Sequence, residues 1–309
     1  MAEKLGRWAR KRQAQKARAV KKDSYRKTAR LRLQKMLKAG LGSKRSKDKN
    51  NADTRDKIYS RSTFVTYKNQ FRYFADWLTE YHSEAETIED ARHFVDEYLQ
   101  RLIDSNKSAY SISTAKAALA KVFQVEATQF IATPPRTRQN IVRSRADDVK
   151  GGKHISDETE RVLARFTSAT GLRRAEMKQI EAEDLFFKNG KPYLRVDKGT
   201  KGGKVRNAEI VGISPEETKA IVKWIESKSG RLFPSLHSNY DNHSYRAVYA
   251  SRLYQKYARK VKDIPKYERY VMRKDRAGKV LDRVAMLCVS KNLGHNRIDV
   301  VAQSYLYKI

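Results

Sequence analysis

Residues 170–176 read Thr170-Gly171-Leu172-Arg173-Arg174-Ala175-Glu176. A helical pattern opens at Ser156 and runs to Thr170, and a second, short helix is predicted after Arg173. The Thr-Gly-Leu-Arg run is of a kind found at many helix ends, so its weight depends on what surrounds it. On its C-terminal side the pattern changes. The stretch 184–211 is rich in strand and turn signals: Leu185-Phe186-Phe187, the pair Asn189-Gly190, Tyr193-Leu194-Arg195-Val196, a turn over 199–203, and Glu209-Ile210-Val211. Two or three antiparallel strands are expected there. Helices return at Ser214-Pro215, over 243–260 and over 281–292, and a short helical stretch ends at Tyr305. Residues 154–309 therefore read as a mostly helical domain with a small antiparallel sheet.

On the N-terminal side, residues 132–153 hold Pro134, Pro135, Arg136, Arg138, Arg143, Arg145, Gly151 and Gly152. That composition reads as an interdomain linker, basic enough to lie along phosphates. Before it, Phe64, Tyr67, Phe71, Phe74, Leu78 and Tyr81 recur at spacings of three and four, one face of an amphipathic helix starting near Ser62 or Thr63. A second helix carries Phe94, Val95, Tyr98, Leu99 and Leu102, and a third Ile112, Ala115, Leu119, Val122 and Phe123. These make a small helical domain over 57–131, with the aromatic stripe read as core. Residues 1–56 differ. The first 50 carry 19 Lys and Arg against 3 Asp and Glu, half of the whole chain's +32. Trp8, Val20, Leu31, Leu33, Met36 and Leu37 are sparse among these charges, and 10–38 contains no Gly or Pro. A basic helix or helix-prone arm ordered on DNA is expected, followed by a polar linker over 40–54.

At 309 residues the chain has room for two domains, each with its own core. The excess of 67 Lys and Arg over 35 Asp and Glu makes a polyanion the default partner, held by an attraction that salt weakens. On charge alone, a solvated basic surface or non-specific RNA binding stays open. Cys288 is the single cysteine, which rules out an internal disulfide and a thiolate metal site and fits a reducing cytoplasm. No run of about 18 apolar residues spans a membrane, and the N-terminus lacks a signal-peptide core.

Four separated features carry chemistry. They are Thr170 to Glu176; Lys201-Gly202-Gly203-Lys204-Val205-Arg206 in a predicted turn; His243-Ser244-Tyr245-Arg246 at a helix start; and Leu293-Gly294-His295 with Tyr305 ten residues on. In this order they resemble the tyrosine recombinase family of phage and mobile-element integrases, whose pattern is T-G-x-R-x-x-E, a hairpin K-G-x-K-x-R, H-x-x-R, L-G-H and a Tyr. The match is close over about 155–307; over 57–131 it rests on position and pattern only. Each motif alone is weak, and the set in order is strong.

The resemblance implies an α+β, mostly helical fold: a helical, SAM-like core-binding domain and a catalytic domain with a small antiparallel sheet. It implies a site-specific DNA recombinase or integrase that cleaves and rejoins double-stranded DNA at paired sites, as a homo-tetramer. Accessory DNA-bending or directionality factors are among the partners it allows, and the place of action is the nucleoid of a bacterial cytoplasm. The basic N-terminal arm points to a mobile element. By the same resemblance Tyr305 is the nucleophile that forms a 3′-phosphotyrosyl bond. Arg173 and Arg246 grip the phosphate, a task suited to the rigid guanidinium fork. His243 and His295 donate to phosphate oxygens or take the tyrosine proton. Lys201 is the general acid and Glu176 orients Arg173 or a histidine. Lys198 and Tyr307 are the alternatives for acid and nucleophile. No metal and no cofactor are implied, because Arg, His and Lys carry the charge. A type IB topoisomerase-like enzyme and a non-catalytic DNA-binding protein on the same fold are the other readings.

Overall fold

The computed structural model describes residues 7–51, 53–137, 155–200, 204–237, 240, 242–273, 276–295, 297–307 and 309. The linker expected over 132–153 lies outside the described residues from 138 on. The chain divides into two compact units, Met1–Arg136 and Thr137–Ile309.

The first unit is helical: α1 (Arg7–Gly40), α2 (Arg45–Asn50), α3 (Arg61–Tyr81), α4 (Val95–Asp104) and α5 (Ala109–Phe123). Ser60 opens α3 by accepting the Thr63 N–H at 3.1 Å, and Ser108 does the same for α5 through the Ser111 N–H. Their apolar faces meet in an aromatic core. The Phe74 ring stands edge-on to Tyr98 at 5.3 Å and to Phe123 at 6.0 Å between centroids.

The basic N-terminal segment is helical, as its sequence suggests, but its second half is not a separate arm. Tyr25, Ala29, Leu33 and Met36, spaced four, four and three apart, are buried in the same core as α3 and α5. Arg26 ties this half to Asp76 of α3 at 2.7 Å. The stripe is hard to see in sequence because the charges between its members dominate any average, and because Tyr25 and Ala29 stand out little. The first half is different: Trp8 is 78% exposed, and every residue from Lys11 to Val20 is exposed. The polar stretch expected over 40–54 contains the short α2.

The second unit comprises α6 (Asp157–Thr170), α7 (Arg174–Met177), β1 (Leu185–Lys188), β2 (Lys191–Val196), β3 (Arg206–Glu209), α8 (Pro215–Glu226), α9 (Asn242–Tyr257), β4 (Arg269–Val271), β5 (Val280–Asp282), α10 (Arg283–Asn292) and α11 (Ile298–Ser304). It is mostly helical, with β1, β2 and β3 forming one antiparallel sheet in that order. The Asn189-Gly190 turn has φ of 50° and 71°, the backbone a tight hairpin requires. Register pairs Leu185 with Leu194 and Leu194 with Ala208. Helix α9 packs on α6 and on α10. The small β4–β5 hairpin was not expected. Three residues per strand give too little alternation to read, and the sequence pattern places the start of a helix at Leu281. That helix instead begins at Arg283, where the Asp282 carboxylate accepts the Val284 N–H at 2.9 Å. No described helix is long and apolar enough to cross a membrane.

Candidate active site

Helix α6 ends at Gly171, whose φ of 61° closes it in a left-handed turn, with its N–H on the Thr167 carbonyl at 2.8 Å. A Cβ at this position would stand 2.2 Å from Cδ1 of Tyr249, so only glycine fits. The turn aims the Gly171 carbonyl at α9, where it accepts a hydrogen bond from Arg246 Nη1. Arg246 is 0% exposed. Its Nη2 donates to the Leu293 carbonyl at 3.3 Å, and its buried Nε has no hydrogen-bond partner among the described residues. Burial lowers its guanidinium below the ordinary arginine value. The Tyr305 phenol opposes that shift and the Arg173 charge adds to it. His243 lies one turn earlier on α9 and is exposed.

Two residues past Gly171, Arg173 stands at the mouth of α7. Its backbone N–H donates to Glu176 Oε2 at 2.6 Å and its Nη1 to Glu176 Oε1 at 2.8 Å. Glu176 is 1% exposed. It also accepts a parallel pair of bonds from Arg206, Nη1 to Oε1 at 2.7 Å and Nη2 to Oε2 at 2.6 Å. Burial pushes the carboxyl up, but the Arg206 bonds and charge, with those of Arg173, outweigh it and hold the group at about 2.

The last elements come from the C-terminal end. Helix α10 stops at Asn292, and Gly294, with φ of 68°, reverses the chain into His295. The turn is fixed by the His295 N–H on the Ser290 carbonyl at 2.8 Å, and by the Ser290 hydroxyl on the His295 carbonyl. His295 Nε2 lies 3.2 Å from the Tyr305 hydroxyl, and which atom donates depends on the tautomer. Tyr305 follows α11 directly, is largely buried, and sets its ring 5.7 Å from the Arg246 guanidinium.

Arg173, Glu176, Arg246, His295 and Tyr305 thus converge from three separated stretches. His243 is carried by the same helix as Arg246, one turn earlier, and is exposed. Lys201 lies outside the described residues. The alternative Lys198 is paired with Glu181 at 2.8 Å on an exposed face. The alternative Tyr307 is turned to another arginine: its ring is 5.1 Å from the Arg276 guanidinium, which donates to the carbonyls of Leu306 and Ile309. Arg206 is a member of the cluster to which the sequence reading gave no role. Its signal was parity: it shares the inward face of β3 with Ala208, and a charge on an inward strand position calls for a partner. Among the described residues no three His, Cys, Asp or Glu side chains gather to hold a metal ion. As a chemical unit, the cluster sets guanidiniums and an imidazole around one phenol, which suits an anion with a phenolic nucleophile beside it.

No protein-family model and no curated protein matches the chain. Among solved structures it is similar to XerH site-specific recombinase bound to palindromic difH substrate in a post-cleavage complex, at 13% identity and a TM-score of 0.47, over 92% of this chain and 91% of that one. It is also similar to the Tn1549 transposon integrase in complex with circular intermediate DNA, at 12% identity and a TM-score of 0.37, over 78% and 94%. A third is XerA recombinase, at 14% identity and a TM-score of 0.29, over 80% and 88%. At such identities and TM-scores nothing about substrate or chemistry is carried across.

Proposed function

We propose that this chain is a site-specific DNA recombinase that breaks and rejoins duplex DNA through a covalent bond to Tyr305. One observation carries the reading: a wholly buried arginine, Arg246, lies under the ring of Tyr305, whose hydroxyl is 3.2 Å from His295 Nε2, with Arg173 at the same cluster. A buried cation with an unused donor is costly unless an anion is meant to meet it.

In the proposed reaction the Tyr305 hydroxyl attacks a phosphodiester phosphorus, and His295 Nε2 takes the phenolic proton. Arg173, Arg246 and His243 hold the non-bridging oxygens and spread the negative charge that grows there. The 5′ oxygen leaves as Lys201 protonates it. The product is a 3′-phosphotyrosyl enzyme and a free 5′ hydroxyl. Attack by a 5′ hydroxyl reverses the step, and one phosphodiester has been exchanged for another, so no ATP is needed. As Tyr305 moves to the phosphate its ring uncovers Arg246. The rest of the reading is a pair of sites held by a homo-tetramer, inside a bacterial cell and on nucleoid DNA. Accessory bending or directionality factors act alongside it. The link to a mobile element leans on the basic segment, of which residues 11–20 are the part that the helical core leaves exposed.

The test uses nicked duplexes tiled across the DNA that flanks the gene, because loss of the cut fragment traps the intermediate. Wild type and Tyr307→Phe are expected to give a protein–DNA adduct that survives denaturing electrophoresis, and Tyr305→Phe none. An adduct that persists in Tyr305→Phe overturns the assignment. Two-site exchange on a plasmid, set against relaxation of a one-site supercoil, separates a recombinase from a topoisomerase-like enzyme.

A further inference from the structure

Glu176 has two oxygens and four donors upon them: Nη1 and Nη2 of Arg206, and N and Nη1 of Arg173. That uses the full accepting capacity of a carboxylate. The two arginines are not equivalent. The Arg206 side chain is 6% exposed and that of Arg173 is 20% exposed. Arg206 turns all three of its nitrogens inward, since its Nε donates to the Asn292 carbonyl at 2.7 Å. Arg173 gives Glu176 a single side-chain nitrogen, its Nη1.

The Asn292 carbonyl lies at the end of α10, two residues before Gly294. A Cβ at Gly294 would come within 3.0 Å of Arg206 Cδ and 3.3 Å of Arg173 Nη1. The loop bearing His295 is therefore laid directly against both guanidiniums. Among the described residues, Arg206 is the one side chain that bonds both to the acid holding Arg173 and to the turn leading into His295. Those partners lie 30 and 86 residues away in sequence.

We infer that Arg206 is a positioning residue for the proposed cleavage: it makes no contact with DNA, and fixes Arg173 through Glu176 and the His295 loop through the Asn292 carbonyl. The inference rests on the DNA-cleavage reading above. Its physical basis is the cost of misplacement. A reacting group displaced by about an ångström loses on the order of 100-fold in rate. A guanidinium fork held at two oxygens fixes both place and orientation, which a point-charge ammonium does not.

The experiment times adduct formation on the same nicked duplexes, with protein well above the DNA dissociation constant. Arg206→Gln is expected to slow the step about 100-fold while DNA affinity changes by less than about 3-fold. Arg206→Lys keeps the charge without the parallel pair and is expected to recover about 10-fold of that loss. The double variant Arg173→Ala/Arg206→Gln is expected to be slower than Arg173→Ala by far less than the roughly 100-fold that Arg206→Gln costs alone, because the part of the Arg206 effect that runs through Arg173 is already lost and only the part through the His295 loop remains. A merely structural role would make the two losses multiply and would weaken DNA binding with them. Multiplying losses, or a wild-type rate in Arg206→Gln, overturn the inference. If Arg206→Gln does not fold by circular dichroism, Arg206→Lys takes its place in the cycle, with the same two outcomes deciding. Absence of an adduct from wild type instead overturns the DNA-cleavage reading, and this inference falls with it.

Discussion

Phe74 and Arg246 are both 0% exposed, and they hold their units together by opposite means. Phe74 meets the rings of Phe71, Trp77, Tyr98 and Phe123. Among the described residues, Thr79 is the one polar side chain buried in the helical unit, and its hydroxyl bonds back to the Ala75 carbonyl of its own helix. In the second unit Glu176, Arg206, Glu209, Arg246 and Asp282 are all buried. A core of the first kind is stabilised in proportion to the apolar area it removes from water. In the second kind each charge must be taken out of water, and the gain from pairing offsets that cost only when the geometry is good. Glu209 and Asp282 meet the condition with Lys256 and Arg259. Arg246 does not: its bonds go to main-chain carbonyls, and it faces a phenol. A stability-driven core has no use for such a residue, and that contrast separates the site from its scaffold.

The contrast breaks most readily at Phe74. Phe74→Ala is expected to cost about 3–5 kcal/mol in urea denaturation, as for a large aromatic deleted from a packed core. A loss below about 1 kcal/mol would mean that the aromatic cluster is not what holds this unit.

Glu176→Gln comes next, at about 3 kcal/mol, because it keeps the shape but leaves Arg206 buried without its counter-charge. A second measurement sharpens the point. The Glu176 carboxyl is held at about 2, below its ordinary 4.5. A depressed carboxyl stabilises the fold above its unfolded value, and that stability is lost as pH falls toward the folded one. Wild type should therefore lose stability between about pH 4.5 and 2, and Glu176→Gln should lose less over the same range. Asp282, lowered to about 2 chiefly by its bond to Arg259, titrates in the same window, so the readout is the difference between the two proteins. Parallel curves would show that Glu176 does not carry the acid limb.

The smallest effect on the fold belongs to the exposed half of α1. Replacing Lys11, Arg12, Lys16 and Arg18 by Gln should change stability by less than about 0.5 kcal/mol. If these residues meet DNA, the slope of log affinity against log salt should fall by about 0.9 for each phosphate contact removed. An unchanged slope takes this surface out of DNA binding.

Much of the scaffold was written locally. Ser156 and Ser214 each accept a backbone N–H three residues on, as cap residues before helical patterns should, while α3 is capped by Ser60, two residues before the expected start. Asn189-Gly190 marked its hairpin by chemistry that acts within four residues. The candidate site was legible only as a series of motifs in order, of which Arg173, Glu176, Arg246, His295 and Tyr305 lie together in the fold. What escaped was whatever depends on distant partners or on weak local signal. Arg206 looked like one more cation in a basic turn, since its partners are far off in the chain. Tyr25 and Ala29 vanished among lysines and arginines. The β4–β5 hairpin was too short to show a period.

Arg246 is wholly buried, with the ring of Tyr305 5.7 Å from its guanidinium. A protein of formal charge +32 meets RNA, nucleotides and other polyanions constantly, and its outer arginines will sample them all. A guanidinium that is 0% exposed, as that of Arg246 is, is shielded from that traffic. In the proposed reaction it would meet a phosphate only once Tyr305 has moved, so that recruitment and commitment would fall to different arginines of the same molecule.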